Sequence, residues 1–208
     1  MALNSYSNLK DAVQDFSHRN DIVDKLDDFI LLAEDAMFAN PDFPIQLRQI
    51  ETRATATTST ADQFLALPSG YIAMRRLKFI LSGYDTDIRY QAPEQMQTVG
   101  ASGIPAYFTV TSQIEFDRVT DAEYTVEMQY SAKPTGLSSS NATNVILDNH
   151  PSVYLYGCLW ALFGWANDDA QEAKYLAKFI GQIQGINKQY KLGRYGPAMA
   201  MRIEGSTP

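Results

Sequence analysis

The chain has 208 residues, 45% hydrophobic and 20% charged, with a formal net charge of −7, the balance of a folded protein with a core of its own. That acidic excess counts against nonspecific nucleic-acid binding, which runs on phosphate neutralisation by Lys and Arg, and a single cysteine, Cys158, excludes an internal disulfide. No stretch reaches the roughly twenty apolar residues of a membrane span, and the opening MALNSYSNLKDAVQDF has no basic region followed by an apolar run, so no signal peptide is expected.

The first helix is predicted from Ser7 to His18, with Leu9, Ala12, Val13 and Phe16 at helical spacing. A second, from Asp21 to Ala39 with Asn20 as its cap, buries Ile22, Leu26, Phe29, Ile30, Ala33 and Met37. Asp24, Asp27, Asp28, Glu34 and Asp35 fall on the opposite side, with Leu31 among them. Paired carboxylates serve acid–base chemistry or hold hard cations, but the ordinary reading of such a face is solvation. An exposed Leu31 also suits an intersubunit contact.

The prolines of NPDFP (40–44) stop the helix, and composition turns to strand residues for about ninety positions. Strands are expected at Glu51 to Thr60, Phe64 to Pro68 and Tyr71 to Leu81, the last with a bulge near Arg75 and Arg76 where its alternation slips. Residues 82–105 read as a long excursion carrying a strand-like Asp87 to Tyr90, a helical turn at Pro93 to Val99 and GASGIP. No GK[ST] follows that loop, so a phosphate cradle is a poor reading. Strands follow at Tyr107 to Thr111, Gln113 to Asp117 and Glu123 to Tyr130, where Tyr124, Val126, Met128 and Tyr130 share one face. Residues 133–143 form a polar linker.

PSVYLYGCLWALFGWA (151–166) is uncharged and apolar on every side, which predicts a helix buried on every side. Pro151 suits its first turn and Asn149 its cap. Val153, Gly157, Ala161 and Gly164 form a strip of small residues for a closely packed helix, while an outer face covered by neighbouring subunits stays open. After the turn at Asn167, with Asp169 and Glu172 as a capping pair, a last helix runs to about Leu192. It buries Leu176, Phe179, Ile180, Ile183 and Tyr190 and turns Lys174, Lys178, Lys188, Gly181 and Gly185 outward. Gly193 and Gly196-Pro197 end it, and Ala198 to Ile203 alternates as a lone strand that closes the chain's own sheet or adds to another subunit's edge.

The sum is an α+β protein: a helical bundle of two N-terminal and two C-terminal helices (1–45 and 144–193), an inserted antiparallel β-rich module (46–143) and a short strand-like C-terminal tail (194–208). His18 and His150 stand in no metal spacing. There is no P-loop, dinucleotide fingerprint or Ser-His-Asp signature, and carboxylate pairs suited to glycoside hydrolysis are too many to single one out. No catalytic residue, metal or cofactor is expected, and the chain reads as a structural or interaction protein.

The order of an acidic helix, LPSGYIAMRRL (67–77), GIPAYFTV (103–110), a strand ending in MQYSAKPTGLS (128–138) and an aromatic helix with an NDD turn resembles the head-to-tail adaptor proteins of tailed bacteriophages. The resemblance runs from about residue 20 to 192 and implies a ring of twelve copies between portal and tail, in the neck of the virion, assembled in the host cytoplasm, through which DNA passes without specific binding. It implies portal docking by Arg194, Tyr195, Met199, Met201, Arg202 and Ile203, and a tail- or nozzle-facing loop carrying Tyr84, Tyr90, Gln95 and Met96. The face of Asp24, Asp27, Asp28, Leu31 and Asp35 then lines the channel or meets the Lys174 and Lys178 face of an adjacent subunit. The alternatives are a tail terminator or stopper, or a virion-associated cell-wall hydrolase.

Overall fold

The structure, a computed structural model, describes residues 3–39 and 44–195, with the backbone alone for 193–195. Its contacts divide the chain into two compact units, Met1–Arg48 with Pro134–Pro208, and Gln49–Lys133. The first is helical. Ser5 accepts the amide of Asn8 (3.2 Å) and starts α1 (Tyr6–Ser17), which ends at His18 in the left-handed region (φ 54°). Leu9, Ala12 and Val13 of its stripe are buried, but Phe16 is 48% exposed. The predicted second helix is split: a 3-10 turn, Val23–Lys25, precedes α2 (Leu26–Ala39), and Ile22 rather than Asn20 stands at the start of that turn.

The helix count also differs from the expectation of four. A five-residue helix, α3 (Val145–Asn149), precedes the apolar one, and Asn144 caps it by accepting the amides of Ile146 and Leu147. Asn149 therefore lies inside α3, where its Nδ2 donates to the Val145 carbonyl (2.7 Å), and does not cap the helix that follows. The apolar helix is α4 (Pro151–Trp165), with Pro151 in its first turn. It packs against α1, α2, α3 and α5 (Asp169–Tyr195), but it is not buried on every side as expected: Tyr156, Trp160 and Phe163 are half-buried and Trp165 is 48% exposed. At Gly157 an added Cβ would stand 2.9 Å from the Ala33 Cβ and 3.0 Å from the Phe179 ring, so this glycine is where α2 and α5 both close on α4. Tyr175, Phe179, Ile183 and Ile186 form the buried stripe of α5. The cap of α5 is Asp168, which accepts the amide of Gln171 (3.1 Å), one residue before the expected Asp169. Gly193 does not end α5, whose backbone continues to Tyr195.

The second unit holds eight strands in two four-stranded sheets. One has the order β1 (Glu51–Thr57), β8 (Thr125–Ala132), β3 (Tyr71–Leu81), β4 (Tyr84–Asp87), all antiparallel. The other has β2 (Phe64–Leu65), β7 (Ile114–Phe116), β6 (Tyr107–Val110), β5 (Arg89–Tyr90). The pair β5–β6 is parallel, so the module is mixed rather than wholly antiparallel. Leu77, Phe79, Val126 and Met128 from the first sheet meet Leu65, Phe108, Ile114 and Phe116 from the second in one core, with Phe79 and Phe116 rings 5.6 Å apart. The register of β3 against β8 shifts between Met74 and Arg76, the predicted bulge, and again between Tyr71 and Ala73. Residues 82–105 begin inside the sheets, where they supply one edge strand of each, β4 and β5, and from residue 91 run as the expected excursion with a 3-10 turn at Pro93–Gln95.

Candidate functional site

The acidic face of α2 separates into three kinds of residue. Asp27 accepts from Lys10 Nζ (2.8 Å) and from the Tyr6 hydroxyl, which hold its carboxyl below the usual carboxylate range and tie α2 to α1. Glu34, expected outward, is 5% exposed, and its Oε1 accepts from the Tyr154 hydroxyl and the Leu137 amide, both at 2.8 Å. Asp28 and Asp35 remain outward with Leu31 and Leu32, which are 64% and 51% exposed. Asp24 is exposed in the preceding 3-10 turn. On α5, Lys174 and Lys178 are exposed and stand over aromatic rings: Lys178 Nζ is 5.3 Å from the Tyr156 ring centre and 5.1 Å from that of Tyr175, and Lys174 Nζ is 5.2 Å from the latter.

Glu34 is the centre of a buried clasp that the sequence did not disclose. The Tyr154 hydroxyl also accepts from Asn144 Nδ2 (2.7 Å), and Asn141 Nδ2 donates to the Gly136 carbonyl (2.9 Å). A Cβ on Gly136 would stand 2.7 Å from Glu34 Oε2, so glycine there lets the segment 134–144 lie directly on the carboxylate. Burial, and then the neighbouring Glu34, push the Tyr154 hydroxyl far above its ordinary range, which favours the protonated form that donates to Glu34. This clasp is why the 134–143 linker packs with the helices.

In the β unit, the GASGIP loop is closed from inside. Asp117, 2% exposed, accepts the amides of Ala106 (3.0 Å) and Tyr107 (3.4 Å) and pairs with Arg118 (3.0 Å). Within the loop itself the Gly103 amide donates to the Val119 carbonyl (3.0 Å). Tyr84 opens β4 and Tyr90 closes β5, so two of the expected tail-facing residues sit on edge strands of different sheets, 61% and 60% exposed. Gln95 and Met96 lie at a 3-10 turn, Pro93–Gln95. A cleft of ≈ 540 Å³ runs between β3 and the β5–β6 pair, lined by Tyr71, Met74, Leu77, Ile88, Tyr90 and Phe108 among others. Of the expected portal-docking residues, Arg194 and Tyr195 fall in the last turn of α5, while Met199, Met201, Arg202 and Ile203 and the lone-strand expectation lie outside the described residues.

The profile of the SU10 adaptor protein family matches residues 4–202, which takes in both units. The chain belongs to that family. No curated protein matches it. The adaptor motifs read from the sequence form joints of this fold. In LPSGY, Gly70 has φ 68° and would place a Cβ 3.0 Å from the Lys133 carbonyl, while Tyr71 stacks on Tyr130 with ring centres 6.1 Å apart. In MQYSAKPTGLS, Leu137 supplies the amide held by Glu34. Among the described residues no three His, Cys, Asp or Glu side chains are grouped to hold a metal ion, and no helix is long and apolar enough to cross a membrane.

Proposed function

We propose that this adaptor is a structural protein of the phage neck, forming a ring of twelve copies that joins the portal to the tail or nozzle and lets DNA pass without specific binding. The observation that carries the reading is the adaptor-family match over residues 4–202. Nothing in the reading requires catalysis: the one thiol, Cys158, is buried, and burial pushes its pKa far above the ordinary range, which suits packing rather than attack. The net charge of −7 per copy favours a conduit that does not hold phosphate. The segment from Arg194 onward is the proposed portal contact.

Co-sedimentation of the purified chain with portal assemblies tests this. The reading expects the chain to pellet with the portal, and a chain lacking residues 194–208 to pellet at least about tenfold less (roughly 1.4 kcal/mol of binding). A chain that ignores the portal and pellets with tail tubes would contradict it.

A further inference from the structure

The outward stripes of α2 and α5 are complementary in shape and sign. Along α2, Asp28, Leu31, Leu32 and Asp35 recur at helical spacing on the side opposite Leu26, Ile30, Ala33 and Met37, and all four are exposed. Along α5, Lys174, Lys178, Gly181, Gly185, Lys188 and Leu192 recur four and three apart, opposite the buried Tyr175, Phe179, Ile183 and Ile186. A Cβ added at Gly181 or Gly185 would meet nothing within 4 Å. Each glycine lowers the stability of an exposed mid-helix turn, and no packing within the described chain compensates. The α2 stripe thus reads acid, leucine pair, acid, and the α5 stripe lysine, glycine pair, lysine.

We infer that the outward stripe of α2 in one copy seats on the outward stripe of α5 in a second copy, with Leu31 and Leu32 entering the notch at Gly181 and Gly185, and Asp28 and Asp35 against Lys178 and Lys188. The lengths agree: the acids span about 10 Å of helix and the lysines about 15 Å, a difference that long lysine arms absorb. Glycine pairs let two helices approach closely. Neither stripe pairs with itself, because that sets acid on acid or lysine on lysine, so each needs the other. A contact between two different surfaces of the same chain is heterologous and closes into a ring when its rotation allows. Two exposed leucines between the acids are what an interface requires and a water-filled DNA channel does not. The inference rests on the ring reading above and names the surfaces that build it.

The test is a charge exchange on the full-length chain, imaged as rings on portal assemblies. One variant carries Asp28→Lys with Asp35→Lys, the other Lys178→Glu with Lys188→Glu. Each alone sets like charges across the contact and should lower ring formation at least about tenfold. An equal mixture alternates the two around the ring, restores every contact, and closes for an even number of copies. Rings from either variant alone at the parent level, or no recovery in the mixture, would overturn the inference. Leu31→Cys with Gly181→Cys, oxidised in rings that have been imaged, gives a second measurement. Covalent oligomers are expected, and rings without any cross-link between copies would overturn the contact while leaving the adaptor reading intact. Parent protein that forms no ring with the portal overturns both.

Discussion

Glu34 is a carboxylate inside a helical bundle, and its two donors, the Tyr154 hydroxyl and the Leu137 amide, are what make that burial tolerable. Glu34→Ala leaves both donors without a partner, which costs about 3 kcal/mol, read as a fall in the urea midpoint. Glu34→Gln keeps an acceptor oxygen and should cost less than half as much. An unchanged midpoint for the alanine variant would contradict the clasp. Sequence reasoning placed Glu34 with the outward acids because α2 supplies several and local spacing cannot rank them. The tyrosine and the amide that hold it arrive more than a hundred residues later.

Asp27 makes a pH prediction with a definite sign. Lys10 and Tyr6 lower its pKa in the folded state, so its stabilising effect is complete above the unfolded value, about 4, and disappears as pH falls through the folded value. The stability difference between the parent and Asp27→Asn, measured by denaturant titration, should therefore be largest near neutrality and vanish in acid. A difference that grows on acidification would refute the pairing.

At the scale of elements, the glycines divide by what surrounds them. Gly157→Ala forces a methyl against Ala33 and Phe179 at the crossing of three helices and should destabilise by about 1–3 kcal/mol. Gly181→Ala meets nothing within 4 Å among the described residues and should stabilise the isolated subunit by up to about 1 kcal/mol, since alanine favours helix. Thermal midpoints of the two variants shifting in the same direction would contradict this assignment.

The crossing was legible in the sequence because an uncharged helix needs neighbours over most of its surface, and Gly157 marks where they come close, though Trp165 stays 48% exposed. The bulge in β3 was legible because a change of alternating phase has few other causes. The parallel pairing of β5 with β6 was not, because β5 has only two residues and no tight turn joins it to its partner. Nor was α3, whose five residues are too few to show a helical period. The charged outer residues of the first sheet also escaped notice. Lys78 bridges Asp85 (2.7 Å) and Glu127 (3.5 Å), and Arg76 pairs with Asp87 (2.6 Å), so these acids are engaged across strands and contribute to sheet pairing.

At the scale of the molecule, the sequence disclosed a helical part interrupted by a β-rich segment and the family to which it belongs, because both rest on patterns spread over the whole chain. The interaction surfaces were only partly legible: outward charge could be read from helical spacing, but not which acids the chain uses internally. Removing Asp27 and Glu34 from the outward set leaves Asp28, Leu31, Leu32 and Asp35 as the face of α2 available to a partner. Under the proposed function this face of α2 is a working surface, and the Glu34–Leu137 contact within the MQYSAKPTGLS motif ties α2 to the segment that follows the β unit.

The most direct measurement of the central claim is averaged imaging of portal assemblies incubated with an excess of the chain, with the copy ratio counted by mass. The account predicts an added ring coaxial with the portal, one chain per portal subunit, with an open central channel. A ring that forms only on tail tubes, or a chain that remains single in the presence of portal, would contradict it.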